Sequence, residues 1–140
     1  MYCKESGQFI FNTDKLMLFI RSGRHSYFPS GSSSHSHNDI LSLLLGIKSK
    51  MIFIDYGTFL YNSGLKFRRR DLVTSNHNTV SFEGFEQAGF IGKWSYVNYP
   101  NSIIKNIKVS ELNVNFEGEC SYNGLTHNRS IDFDTKTNKL

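Results

Sequence analysis

Residues 104–116 read IKNIKVSELNVNF, and how they are read decides the fold. Ile104, Val109, Leu112, Val114 and Phe116 recur mainly at even spacing among Lys, Asn, Ser and Glu, with one slip of register. A period of two puts alternate side chains on opposite faces, the mark of a strand with one face on a core and the other in water. Nothing in this stretch follows the 3.6-residue period of a helix.

The same grammar extends in both directions. Upstream, GQFIFNTDKLMLFIR (residues 7–21) sets two runs of Phe, Ile and Leu around Asn-Thr-Asp-Lys, a hairpin signal. SGRHSYFPSGSSS (22–34) is a loop dense in Gly, Ser and Pro, and ILSLLLGIKSKMIFIDYGTFLY (40–61) places two strand-length apolar runs on either side of residues 46–50. The pattern continues through NTVSFEGFEQAGFIGKWSYVNY (78–99), and RSIDFDTKTNKL (129–140) reads as a strand and then a turn. Short strands at close intervals, without an amphipathic helix longer than about ten residues, predict an all-β antiparallel sandwich. The turn near Leu140 predicts a further strand, so the sheet is expected to be incomplete at its C-terminal end. With 140 residues and no internal repeat or linker, residues 1–140 are expected to form a single domain.

Composition narrows the class. Hydrophobic residues make up 39% and aromatics 14%, which excludes a disordered chain. Sixteen Lys and Arg against twelve Asp and Glu give a net charge of +4, with much of it local, in KFRRRD (66–71). The patch reads as either a solvated turn between strands or a surface for anionic partners, with Arg68, Arg69 and Arg70 as candidate substrate-binding groups. Cys3 and Cys120 have no CxxC spacing and are equally open to being free or paired. No apolar run is long enough to span a membrane, and the first residues carry no export signal. No GxGxxG, GxxxxGK[ST] or GxSxG motif is present, which argues against nucleotide binding and hydrolase-fold serine chemistry.

The chemistry gathers around HSHNDILSLLL (35–45). In an extended segment His35 and His37 would project to one face, and His37 and Asp39 would share it. Imidazole and carboxylate are zinc donors, but HxHxD matches no local zinc finger, so further donors must come from elsewhere in the fold. Asp55 follows an apolar run in MIFID and needs water, a cation or a donor. His77 stands in the polar loop SNHNTVSF (75–82). These three strand ends are expected to meet at one rim. His25 and His127 stand alone in loops. Tyr56, Tyr61 and Trp94 suit either stacking on a sugar ring or a place in the core.

The ordered series HSHNDILSLLL, MIFIDYGTFLY (51–61) and RRRDLVTSNHNTVSFEGFEQ (68–87) resembles the C-terminal domain of the heparinase II/III-like polysaccharide lyases, a family that includes alginate and oligoalginate lyases. SGQFIFNTDKLMLFIRSG before it and SYNGLTHNRSIDFD after it fit the same pattern, so the likeness covers nearly the whole chain. The resemblance implies a supersandwich-like β-sandwich and a structural divalent metal, usually zinc, on His37, Asp55 and His77. It leaves His35 as the catalytic residue facing the cleft, with Tyr61 and the arginines toward substrate, and Asp39 to orient the turn. The implied reaction is β-elimination at a uronic acid in an acidic polysaccharide such as a glycosaminoglycan or alginate. In the family a helical toroid domain supplies most of the proton-transfer groups. No such region occurs here, so the chain is expected to be one half of a cleft, inactive without that partner. The implied location is the cell envelope, periplasmic or secreted, with no nucleic-acid partner. A second reading is a non-catalytic, metal-stabilised domain that binds glycan or a partner during surface-polysaccharide assembly or turnover. A cupin-like enzyme also uses His-x-His, but its following Glu/His spacing is missing.

Overall fold

The computed structural model describes residues 1–3, 6–25, 35–62, 64–110 and 113–134. Five antiparallel strands form one sheet in sequence order: β1 (Tyr2–Cys3), β2 (Gln8–Asn12), β3 (Leu16–Arg21), β4 (Ser42–Ile47) and β5 (Lys50–Phe53). A helix, α1 (Leu65–Leu72), and a 3-10 turn (Thr74–Asn76) follow. The chain then forms the small hairpin β6 (Gly89–Ile91) and β7 (Ser95–Val97), and ends in a three-stranded sheet of β8 (Asn101–Val109), β9 (Asn113–Tyr122) and β10 (Leu125–Asp134), with β9 in the middle.

The two large sheets face each other as an antiparallel β-sandwich. Leu16, Leu18 and Ile20 alternate along β3 with half-buried neighbours, and with Phe9 and Leu45 they pack on Val114, Phe116 and Tyr122 of β9 and Ile131 and Phe133 of β10. The Phe9 and Phe116 rings lie 6.0 Å apart. Each such side chain, fully buried, contributes about 1.5–3 kcal/mol. Gly118 sits where the layers approach most closely: a Cβ there would meet Leu41 Cδ2 at 2.7 Å and Phe116 Cζ at 2.9 Å. Two tight turns set the registers. Lys48 and Ser49 (φ 47° and 65°) join β4 to β5, and Asn123 and Gly124 (φ 51° and 77°) join β9 to β10. Both pairs are left-handed, and that backbone matches the twist of the strands they connect.

Several expectations change. Residues 104–116 carry two strands, with the Ser110 N–H bonded to the Asn113 carbonyl between them and residues 111–112 outside the described residues, and their slip is a bulge between Ile104 and Asn106. The KFRRRD run is helix α1 rather than a turn between strands. Gly64 precedes it, its basic last turn complements the helix dipole, and Val73 ends it in extended geometry. The apolar run of β5 is a sheet edge with every residue exposed, Ile52 at 54%. Residues 35–41 form no strand, so the alternation argument does not apply to His35 and His37. In residues 78–99 the strand content is a Phe82–Phe85 bridge and the β6–β7 hairpin. Both cysteines are free, and burial pushes the Cys120 thiol up to about 12. The turn expected after Asp134 lies outside the described residues. Among the described residues, no helix is long and apolar enough to cross a membrane.

Candidate functional site

The site is built from the segment leading into β4, the loop after β5, helix α1 and the 3-10 turn. Residues 55–61 supply one side chain after another. Gly57, in left-handed geometry (φ 57°), donates its N–H to Asp55 Oδ1 at 2.8 Å and reverses the chain just beyond the sheet edge. Asp55 Oδ2 accepts from His77 Nδ1 at 2.7 Å. Thr58 Oγ1 accepts from Arg68 at 2.7 Å and lies 3.1 Å from His37 Nε2. The Tyr61 hydroxyl is 2.6 Å from His35 Nδ1, and the two rings stack at 5.5 Å.

His37, Asp55 and His77 are therefore drawn together, with the two imidazoles 5.2 Å apart. Burial holds His37 down to about 4, with His77 and Arg68 adding to the effect, so it is neutral at pH 7. Burial alone would raise the Asp55 carboxyl, but the hydrogen bonds from His77 and Gly57 outweigh it and the carboxyl titrates below its ordinary value. His77 Nδ1 donates to Asp55, and its buried Nε2 has no hydrogen-bond partner among the described residues. Two imidazoles and a carboxylate, with His77 Nε2 the orphaned buried nitrogen among them, fit the donor chemistry of zinc. As placed, the Asp55 carboxylate is engaged by His77 and Gly57, so taking up a metal would exchange its bond to His77 for the ion. Among the described residues, no three His, Cys, Asp or Glu side chains already surround a common point.

His35 belongs to a different cluster. It is exposed and meets Tyr61, which is 41% exposed. The Tyr61 and Trp94 rings lie 5.2 Å apart, and the Arg68 guanidinium sits 5.0 Å from one and 5.2 Å from the other. Arg68 is 1% exposed, so the solvated reading of that arginine gives way to a buried cation beneath two aromatic rings. Arg69 lies 5.6 Å over the Phe90 ring, and Arg70 projects to solvent beside Asp71. Lys93 adds a second cation against Trp94 at 5.0 Å. Asp39 pairs with Arg21 at 3.0 Å. His127 is buried on β10, where burial and Arg129 lower it to about 4.

A buried polar network holds the histidine segment. Asn38 is fully buried: its Oδ1 accepts from Ala88 N at 3.0 Å and from His25 Nε2 at 2.8 Å, and its Nδ2 donates to Glu86 at 2.9 Å and to Ala88 O at 3.0 Å. Gln87 grips the Ile40 backbone from both sides, at 2.8 and 3.0 Å. Glu86 also accepts from the Thr74 N–H and hydroxyl. Residue type alone did not mark Thr58, Asn38 or Glu86, since each looks like an ordinary loop residue. Its place directly after His37, in HSHND, was the one available hint for Asn38.

Two solved structures of a heparinase III are similar to this chain. One, with methylated lysines, is 22% identical with a TM-score of 0.71, covering 93% of this chain and 19% of that one. The other is 20% identical with a TM-score of 0.69, covering 96% and 20%. This chain thus spans about a fifth of the length of the proteins it resembles, and the likeness supports the shared sandwich fold. No curated protein matches the sequence. The heparinase II/III-like C-terminal family model matches residues 2–140, and the chain belongs to that family of polysaccharide-lyase domains.

Proposed function

We propose that this chain is the sandwich side of a lyase cleft that cleaves uronic-acid-containing glycans by β-elimination, working with a helical toroid domain. One observation carries the reading: His35 meets the Tyr61 hydroxyl at 2.6 Å at an open rim, with Trp94 and two cations alongside. In the reaction, the C5–H bond of the uronate breaks and its proton passes to a base. The C4–O bond then breaks, a C4=C5 double bond forms, and the departing oxygen takes a proton. The C5 proton is acidic enough only when the adjacent carboxylate is neutralised, since the developing enolate would otherwise carry two negative charges. His35 and Tyr61 provide a nitrogen and a hydroxyl for that carboxylate and for proton delivery. Arg68, beneath the rings, fixes Tyr61 and Trp94 as a platform and adds positive potential, while the helical domain contributes the remaining proton-transfer groups.

His37, Asp55 and His77 would hold a divalent ion, zinc by donor chemistry, and the ion would pin the histidine segment, the loop after β5 and the 3-10 turn to one another. No step of the elimination passes through it. An acidic glycan substrate places the work in the cell envelope or outside the cell.

The test joins this chain to a helical domain in one enzyme and follows unsaturated uronate product by ultraviolet absorbance. Turnover is expected from the joined enzyme and should fall at least a hundredfold on His35→Ala, with zinc content by elemental analysis unchanged. Robust turnover by the 140-residue chain alone, or by the His35→Ala enzyme, would refute the division of labour.

A further inference from the structure

On the far side of α1 from the His35 rim lies a second concavity that the proposed chemistry leaves unused. It is a cleft of about 490 Å³ between the loop after β5 and the C-terminal end of α1, within the roughly 300–1,000 Å³ typical of small-molecule sites. Its aromatic walls are Tyr56 and Phe59, 84% and 77% exposed, and its polar walls are Arg70, Asp71, Ser75 and Asn76. Large rings left this open to water are costly as scenery and mark a surface that something covers.

The loop geometry produces the arrangement. The Gly57 reversal turns Thr58 and Tyr61 toward His37 and His35, while Tyr56 and Phe59 line the cleft. Helix α1 divides its arginines in the same manner, because two residues are 200° of turn. Arg68 points under Tyr61, and Arg70 points into the cleft. Arg70 is held there: Asp71 Oδ1 lies 3.4 Å from its guanidinium, and Asp71, only 8% exposed, is itself fixed by the Phe59 N–H at 3.0 Å. The Arg70 side chain remains 57% exposed, so Asp71 orients it from behind and leaves its outer edge to solvent. Asn76 donates to the Arg70 carbonyl, which ties the opposite wall to the helix end.

Aromatic faces beside a cation, an amide and a hydroxyl match a sugar ring, with C–H faces to stack and hydroxyls and a carboxylate to bond. We propose that this cleft is a second saccharide subsite, separate from the His35 rim, that stacks one uronate residue on Tyr56 or Phe59 and pairs its carboxylate with Arg70. The proposal takes its ligand class from the reading above.

The experiment is an NMR shift titration of the 140-residue chain with an unsulfated tetrasaccharide of alternating glucuronate and N-acetylglucosamine, and with its carboxyl-reduced counterpart. Arg70→Gln should weaken the acidic tetrasaccharide about tenfold, the loss of one charge-assisted bond, and abolish preference for it over the reduced one. Tyr56→Ala should weaken both oligosaccharides alike. Thermal melts should match the parent, since both side chains are exposed. If the parent chain binds and both variants bind equally well, the subsite is refuted and the glycan reading stands. If the parent ignores both oligosaccharides at millimolar concentration, the glycan reading falls and takes the subsite with it. Protection of residues 56–59 from amide exchange by a joined helical domain without glycan would make the cleft a domain interface and overturn the proposal.

Discussion

The buried His25 makes the fold acid-sensitive by an amount that can be worked out. Its ring is 1% exposed, its Nε2–H donates to Asn38 Oδ1, and its buried Nδ1 has no partner among the described residues. Protonation would place a charge where Asn38, the Tyr96 and Tyr99 rings and the nearby Arg21 offer no counter-charge, so burial first, then Arg21, lowers the histidine from 6.5 to about 4. The folded chain therefore binds fewer protons than the unfolded chain between those values. Stability is complete above pH 6.5, declines as pH falls, and levels off once the folded pKa is passed. At roughly 1.4 kcal/mol per pH unit, this one residue accounts for about 3 kcal/mol, a large share of the 5–15 kcal/mol of a typical domain. Urea unfolding of the chain and of His25→Gln at pH 7.0, 5.5 and 4.0 measures it. Glutamine keeps an N–H donor without the titration, so the difference between the two pH profiles isolates His25, leaving out His37 and His127, which also titrate near 4. Parallel profiles would refute the claim that His25 is held neutral.

Two more outcomes test the packing and the network. Gly118→Ala should destabilise the sandwich by about 1–3 kcal/mol, because the added methyl meets Leu41 and Phe116, both fully buried; an unchanged urea midpoint would show that the layers can separate freely. Gln87→Leu removes the acceptor of the Ile40 N–H, whereas the Ile40 carbonyl keeps its bond from the Thr79 hydroxyl. One orphaned buried donor costs about 1–3 kcal/mol, and amide exchange should quicken across residues 36–41 while β9 stays protected. Uniform exchange throughout the sandwich would mean that Gln87 does not act locally on the histidine segment.

The sequence told sheet from helix where one face of a strand is buried. Leu16, Leu18 and Ile20, and Val114 and Phe116, alternate because every second residue meets the opposite sheet. Asn123-Gly124 carried an equally strong hairpin signal that the strand pattern alone leaves unused. Composition failed at β5, since an apolar strand reads the same whether it lies inside a sheet or at an exposed edge. It failed again at α1. An arginine run looks solvated until rings from other segments, Tyr61 and Trp94, arrive to cover one of its members. At the site, the residue types were legible and their grouping was not. His35 and His37, two apart, have separate partners because the segment that carries them is irregular and each is captured by a different residue of the 55–61 loop.

That irregularity raises the question of how loops can hold side chains accurately enough for chemistry. Irregular backbone lacks a ladder, so its polar groups must be satisfied one by one. Here the satisfying groups come from side chains within the site's own motifs. Asn78, next to His77, donates to the carbonyls of Leu43 and Ile54, tying the segment after the 3-10 turn to β4 and to the end of β5. Thr79 and Gln87 close on Ile40, and Asn38 and Thr74 meet at Glu86. Each bond joins segments distant in sequence, and together they leave the loops bearing His35, His37, Asp55 and His77 few ways to move independently. A metal on His37, Asp55 and His77 would thus reinforce a rim that this network already positions. Removal of such a metal should therefore loosen the site locally before it unfolds the sandwich, because the network meets the Phe9–Phe116 core only at the backbone of Ile40 and Leu43.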